Sequence, residues 1–118
     1  MVGVYLVANY QNVSPVKLGQ AAMTTSYATV YTTPALSRTI LKEFDIINTT
    51  AGALLIYVSI VPSGGTAGTG NALFYGNSLP ANTTMQWTGT QIMNEGDTIQ
   101  VKASNTGCTI TVSGGEAV

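Results

Sequence analysis

The side chains best equipped for chemistry are five carboxylates, one thiol, a glycine-rich run and several aromatic rings. Four of the carboxylates fall into two pairs, Glu43 with Asp45 and Glu95 with Asp97. Paired carboxylates can act as acid and base when one of them holds its proton near neutrality. In an extended chain, residues two apart lie on one face at roughly 6 to 7 Å, a separation that glycosidase carboxylates can use. The same alternation makes Glu43 and Asp45 the wet outer face of a strand, which is the preferred reading. Glu95-Gly96-Asp97 opens another strand, where glycine turns the chain and Asp97 bonds the backbone. A calcium site there, completed by loop carbonyls and Thr98, would have the oxygen ligands that hard cations take, but a plain turn accounts for the residues.

The other groups are weighed in the same way. Ser63-Gly-Gly-Thr-Ala-Gly-Thr-Gly-Asn71 invites comparison with phosphate-binding loops, yet it lacks the Lys-Ser/Thr ending and opens no helix. Cys108 falls on an inward position beside Ile110 and reads as packing, since an inert buried thiol is the usual role of such a cysteine. Trp87, Tyr75, Tyr57 and Tyr31 could form a sugar-stacking platform, although each also suits a core or an interface. Asn12-Val-Ser14, Asn48-Thr-Thr50 and Asn82-Thr-Thr84 match the glycosylation pattern, as chance allows in so threonine-rich a chain.

What must position these groups is one domain of 118 residues, long enough to bury roughly 65% of the surface its unfolded chain exposes. There is no histidine, which removes Ser-His-Asp, Cys-His and HExxH arrangements together. The single cysteine cannot form an intrachain bridge. Four Lys/Arg against five Asp/Glu leave no basic field for phosphates, so no nucleic-acid partner is expected. No apolar run approaches the 18 or so residues of a spanning helix, so no membrane partner is expected either. The apolar start, Met1 to Tyr10, carries no Lys or Arg and does not read as a signal peptide. Only 8% of residues are charged, against about 25% in an ordinary soluble domain. Threonine, serine and amides must therefore cover the surface, and neutral faces of that kind tend to associate.

Period-two alternation recurs throughout, and no segment carries a helical repeat. From Arg38 to Asn48 the face Ile40, Phe44, Ile46 points inward, with Lys42 spoiling it near one end. Ala53 to Val61 sets Leu54, Ile56, Val58 and Ile60 against Leu55, Tyr57 and Ser59. Between them, Gly52 is expected to supply positive φ to the turn Asn48-Thr-Thr-Ala-Gly52. Ala72 to Ser78 is a strand ended by Pro80. Met85 and Trp87 share a face, as do Ile99, Val101 and Ala103. After the hairpin Ser104-Asn-Thr-Gly107 come Cys108, Ile110 and Val112. The fold class is all-β: a single antiparallel β-sandwich of about seven to eight strands, jelly-roll or immunoglobulin-like. The domain division is an N-terminal arm or edge strand over 1–26 followed by the sandwich over 27–118.

Leu18-Gly-Gln-Ala-Ala-Met-Thr-Thr-Ser-Tyr-Ala-Thr-Val-Tyr-Thr-Thr-Pro34, Ile47-Asn-Thr-Thr50, Val61-Pro-Ser-Gly-Gly-Thr-Ala67 and Gly96-Asp-Thr-Ile-Gln100 resemble a group of small tailed-bacteriophage virion proteins. Those are short β-sandwich proteins that decorate the head, neck or tail. The resemblance spans Leu18 to Glu116 and implies a non-catalytic, multicopy part of a phage particle, located in the virion and assembled in the host bacterial cytoplasm.

The expected activity is therefore binding. The expected partners are copies of the chain itself, as a trimer to hexamer, and other virion proteins, and no catalytic residue, cofactor or metal is assigned. Candidate interface residues are Val4, Leu6, Tyr10, Leu18, Tyr27 and Tyr31. The alternative is a receptor- or glycan-binding module at an exposed virion tip, for which Gly64, Gly65, Tyr75 and Trp87 would face a host glycan.

Overall fold

Alternating apolar and hydroxyl-bearing residues give strands buried on one face, and the computed structural model, which describes residues 13–117, contains eight of them. They are β1 (Val13–Ala22), β2 (Ala28–Thr32), β3 (Arg38–Asn48), β4 (Leu54–Val61), β5 (Ala72–Leu79), β6 (Thr83–Met93), β7 (Thr98–Ala103) and β8 (Cys108–Ala117). They form two four-stranded antiparallel sheets with strand orders β1-β8-β3-β6 and β2-β7-β4-β5. Only the β4–β5 connection stays within one sheet. Every other connection among the eight strands crosses the sandwich, which makes the topology a jelly roll and removes the immunoglobulin-like alternative.

The core lies between the sheets. Leu41, Phe44, Ile46, Ile110 and Val112 from one sheet meet Ile56, Val58, Ile99 and Val101 from the other, all essentially inaccessible to water. Cys108 is buried on the inward face of β8, where burial pushes its thiol pKa up.

β3 departs from the simple alternation. Its pairing with β8 shifts between Leu41 and Glu43, leaving Lys42 as an extra residue. Before this bulge Thr39 and Leu41 are buried, and after it Phe44, Ile46 and Asn48 are. Lys42 stays exposed, and Ile40, expected inside, is turned to the outer, half-buried side. A lysine cannot stay in an apolar layer, and one inserted residue resolves the conflict by exchanging the two faces. Gly114 belongs to the same adjustment: a Cβ there would sit 2.1 Å from the carbonyl oxygen of Ile40.

The turn after β3 also differs from expectation, because Gly52 does not adopt positive φ. The buried Asn48 side chain shapes it instead. Its Nδ2 donates to the carbonyls of Gly52, Leu79 and Pro80 at 2.9, 3.1 and 3.2 Å, and its Oδ1 accepts from the Thr50 amide and hydroxyl at 2.9 and 2.7 Å. One amide thus ties the β3–β4 connection to the end of β5.

β1 pairs along its length with β8 and forms one edge of its sheet, with Leu18 as the extra residue at a bulge and its side chain in the core. That bulge is why Lys17 to Ser26 shows no regular period. Pro15 lacks an N–H, and its place on an edge strand leaves no ladder bond missing.

Asn48→Ala would leave buried carbonyls without donors and is expected to lower stability by about 3 kcal/mol. Urea unfolding measures it, and a loss within error of zero would show that the amide does not hold the turn.

Candidate functional site

Parity along the strands decides which side chains leave the core. In β4 the outward positions are Leu55 and Tyr57, with Ser59 on the same side but fully buried, and the residue paired with Tyr57 is Lys102 on β7 and Tyr75 on β5. β5 carries an extra residue, Gly76, at φ 72°, which keeps Tyr75 opposite Tyr57. The Asn77 side-chain oxygen accepts the Tyr75 amide at 3.0 Å and steadies this bulge. Tyr27, just ahead of β2, joins from the other side.

These residues form a continuous patch on the outer face of the β2-β7-β4-β5 sheet. The Tyr57 ring meets Tyr75 edge-on at 5.1 Å and Tyr27 edge-on at 6.4 Å. The Lys102 ammonium lies 4.5 Å from the Tyr57 ring centre and 4.8 Å from that of Tyr27. Ring quadrupoles hold the cation there, and among the described residues no carboxylate is paired with it. Tyr75 is 54% exposed and Leu55 41% exposed. Clustered tyrosine rings are a composition that protein contacts enrich.

The outer face of the other sheet presents Glu43, Asp45 and Ile47 at successive outward positions of β3. Gln86 of β6 donates to Glu43 at 2.8 Å. Partial burial pushes the Asp45 carboxyl pKa up, the neighbouring Glu43 adds to this by hydrogen bond and charge, and Gln86 opposes it. The two acids sit together on an open sheet face, as the alternation implied. The second pair is occupied differently. Asp97 accepts the Ser63 and Asn94 amides at 3.1 and 2.9 Å, and Glu95 accepts the Leu36 amide at 2.6 Å. With Gly96 at φ 84° this is a backbone-bonding turn. Among the described residues no three His, Cys, Asp or Glu side chains group to hold a metal. No helix among them is long and apolar enough to cross a membrane.

Of the candidate platform the structure brings Tyr57 and Tyr75 together and separates Trp87 and Tyr31 from them. Trp87 stacks on the buried Phe44 at 5.1 Å and 13°, closing the core under β6, so it lies in the opposite sheet from Tyr75. Tyr31 lies at the seam between the sheets, where its hydroxyl donates to Glu116 at 2.5 Å and contacts Thr39 Oγ1 at 2.5 Å. Leu18 is committed to the core, whereas Tyr27 is part of the outer patch. Gly64 and Gly65 belong to a loop that folds against Val61, closed by the Gly65 amide on Pro62 and by Asn71 bonds to Gly68 and Thr66. Val4, Leu6 and Tyr10 lie outside the described residues. Lys102 and Leu55 were readable as outward positions, but their meeting with Tyr27 and Tyr75 depends on strand order, which period-two alternation does not carry.

No protein-family model matches the chain, and no curated protein matches it. Among solved structures it is similar to one from the T13 IBDV viral particle, with TM-score 0.48, 12% identity, and coverage of 90% of this chain and 30% of that one. It is also similar to a structure of the infectious bursal disease virus Gx strain, with TM-score 0.46, 14% identity and coverage of 89% and 32%. A pentameric capsid protein from metagenomic phage sequences gives TM-score 0.34, 16% identity and coverage of 93% and 67%. The chain thus spans about a third of the length of the first two.

Burial, followed by the Glu116 hydrogen bond and charge, pushes the Tyr31 pKa from 10.0 up to about 12, with Thr39 opposing. The folded-state value is the higher one, so the stability this hydroxyl lends is complete below about pH 10 and is lost as pH rises toward 12. Ultraviolet titration should show one phenol ionising near 12 that disappears in Tyr31→Phe. An unchanged titration curve would refute the seam bond. In an NMR titration, Glu43→Gln should bring the Asp45 carboxyl down toward the ordinary aspartate range. No movement would show that the two acids do not interact.

Proposed function

We propose that this chain is a non-catalytic structural protein of a bacteriophage virion, a multicopy decoration or accessory component of head, neck or tail that works by binding copies of itself and other virion proteins. The observation that carries the reading is the outer patch of Tyr27, Tyr57 and Tyr75 beside the exposed Leu55, since tyrosines are enriched where proteins meet. The resemblance of Leu18 to Glu116 to small tailed-phage virion proteins supports it. So does the scarcity of charge, which leaves neutral sheet faces with little to repel a neighbour. Small contacts repeated around a closed ring make a tight assembly even when each is weak.

The N-terminal segment is the second attachment element in this proposal. Because Val13–Ala22 pairs with β8 and Leu18 fills the core, any attachment function separable from folding belongs to residues 1–12, including Val4, Leu6 and Tyr10. They would engage an adjacent subunit or another virion protein, by the main-chain pairing that strand addition uses. A glycan-binding reading keeps Tyr75 and its neighbours on the outer patch and the exposed Gly64–Gly65 loop, while Trp87 packs on Phe44.

Size exclusion with light scattering on the full chain is expected to give a discrete trimer to hexamer that survives dilution. Removal of residues 1–12 is expected to leave the melting temperature within a few degrees while reducing incorporation into particles. A monomer at every concentration that also fails to incorporate would contradict the proposal.

A further inference from the structure

We propose that the outer face of the β2-β7-β4-β5 sheet docks on the outer face of the β1-β8-β3-β6 sheet of a second copy of this chain, with Lys102 of one copy against Glu43 and Asp45 of the next. This rests on the reading of the protein as a self-associating structural component, and it names the two surfaces.

Charge complementarity is the first argument. The two carboxylates crowd each other on one outer face, where their described polar partner is the neutral Gln86. That face also carries Lys17 and Lys42, but their ammonium groups bond Gln20 at 2.7 Å and Thr90 at 2.9 Å. On the opposite outer face Lys102 is held by two tyrosine rings, with no carboxylate paired with it among the described residues. Two groups on opposite outsides of a sandwich cannot reach each other within one copy, because the whole core separates them. A second copy supplies what each lacks. The pKa of Asp45, raised by burial and by Glu43, is consistent with a carboxylate that a cation from outside would relieve.

The apolar residues give the second argument. Ile47, 42% exposed, is the next outward position after Asp45 on β3, and Leu55, 41% exposed, is the outward position before Tyr57 on β4. Both flank the 49–53 connection, so they mark the same end of the sandwich on its two sides. Strand rise is the same in both sheets, about 3.4 Å per residue. Copies stacked through their thickness in one orientation therefore set Ile47 against Leu55 and Asp45 against the Tyr57–Lys102 pair. The contact uses different surfaces on the two partners, so it is heterologous: copies in one orientation stack as an open row, and a ring forms only where each contact also rotates the next copy.

Lys102→Glu makes both faces acidic, and the double variant Glu43→Lys with Asp45→Lys makes both basic at the contact. Each alone is expected to weaken self-association at least about tenfold in sedimentation or light scattering. Mixed one to one, each acidic patch meets a basic one, and association is expected to return. Lys102→Gln, which deletes the charge without reversing it, should weaken association less and serves if a reversal disturbs folding, with circular dichroism as the check. Folded variants that assemble like the wild-type chain, or that stay apart when mixed, would overturn this pairing while an oligomeric wild-type chain leaves the structural reading standing. A wild-type chain that remains monomeric throughout would overturn this pairing, and the structural reading with it only if the chain also fails to enter particles.

Discussion

The constraint on which the rest depends is parity. A strand in a sandwich sends every second side chain into the core, and a single inserted residue exchanges the two faces from that point on. In β3 the residue is Lys42, and its insertion sends Phe44 and Ile46 inward and Glu43, Asp45 and Ile47 outward. In β5 it is Gly76, which keeps Tyr75 outward against Tyr57. Without these two bulges the acidic face and the tyrosine face would have a different composition, so the surfaces proposed to bind are set by the same local irregularities that complete the core.

Much of this was legible before any coordinates. The seven strands from β2 to β8, the inward residues of β4 and β7, the stop at Pro80 and the Glu95–Asp97 turn all follow from period-two alternation and turn chemistry. The bulges were not legible in the same way. Lys42 was visible as a charge out of place, and the physical solution, an extra residue, was one of several that alternation permits. Strand order was hidden for a deeper reason. In a jelly roll nearly all pairings join strands distant in sequence, and no local pattern says that β8 lies between β1 and β3. Trp87 shows the consequence, since the sequence leaves it open between platform and core, and in the fold it stacks on Phe44.

Scarce charge gives the molecule an unusual balance. The few ionisable groups are nearly all engaged in local tasks: Asp97 and Glu95 bond backbone amides, Glu116 accepts from Tyr31, and Lys17 and Lys42 meet neutral oxygens. Lys102 and the Glu43–Asp45 pair stand apart from this, on opposite faces, each beside exposed apolar side chains. Two of the four sheet edges carry protection of their own, Pro15 and Lys17 on β1 and the Gly76 bulge on β5, which discourages strand pairing at those edges.

The claim that the two outer faces join the copies is tested most directly by hydroxyl-radical footprinting of the full chain, dilute and concentrated. Protection of Tyr57, Tyr75, Leu55 and Ile47 on assembly, with unchanged labelling of Val13 and Pro15 at the β1 edge, is the expected result. Assembly that protects the β1 edge while those face residues stay as reactive as in the dilute chain would contradict the account.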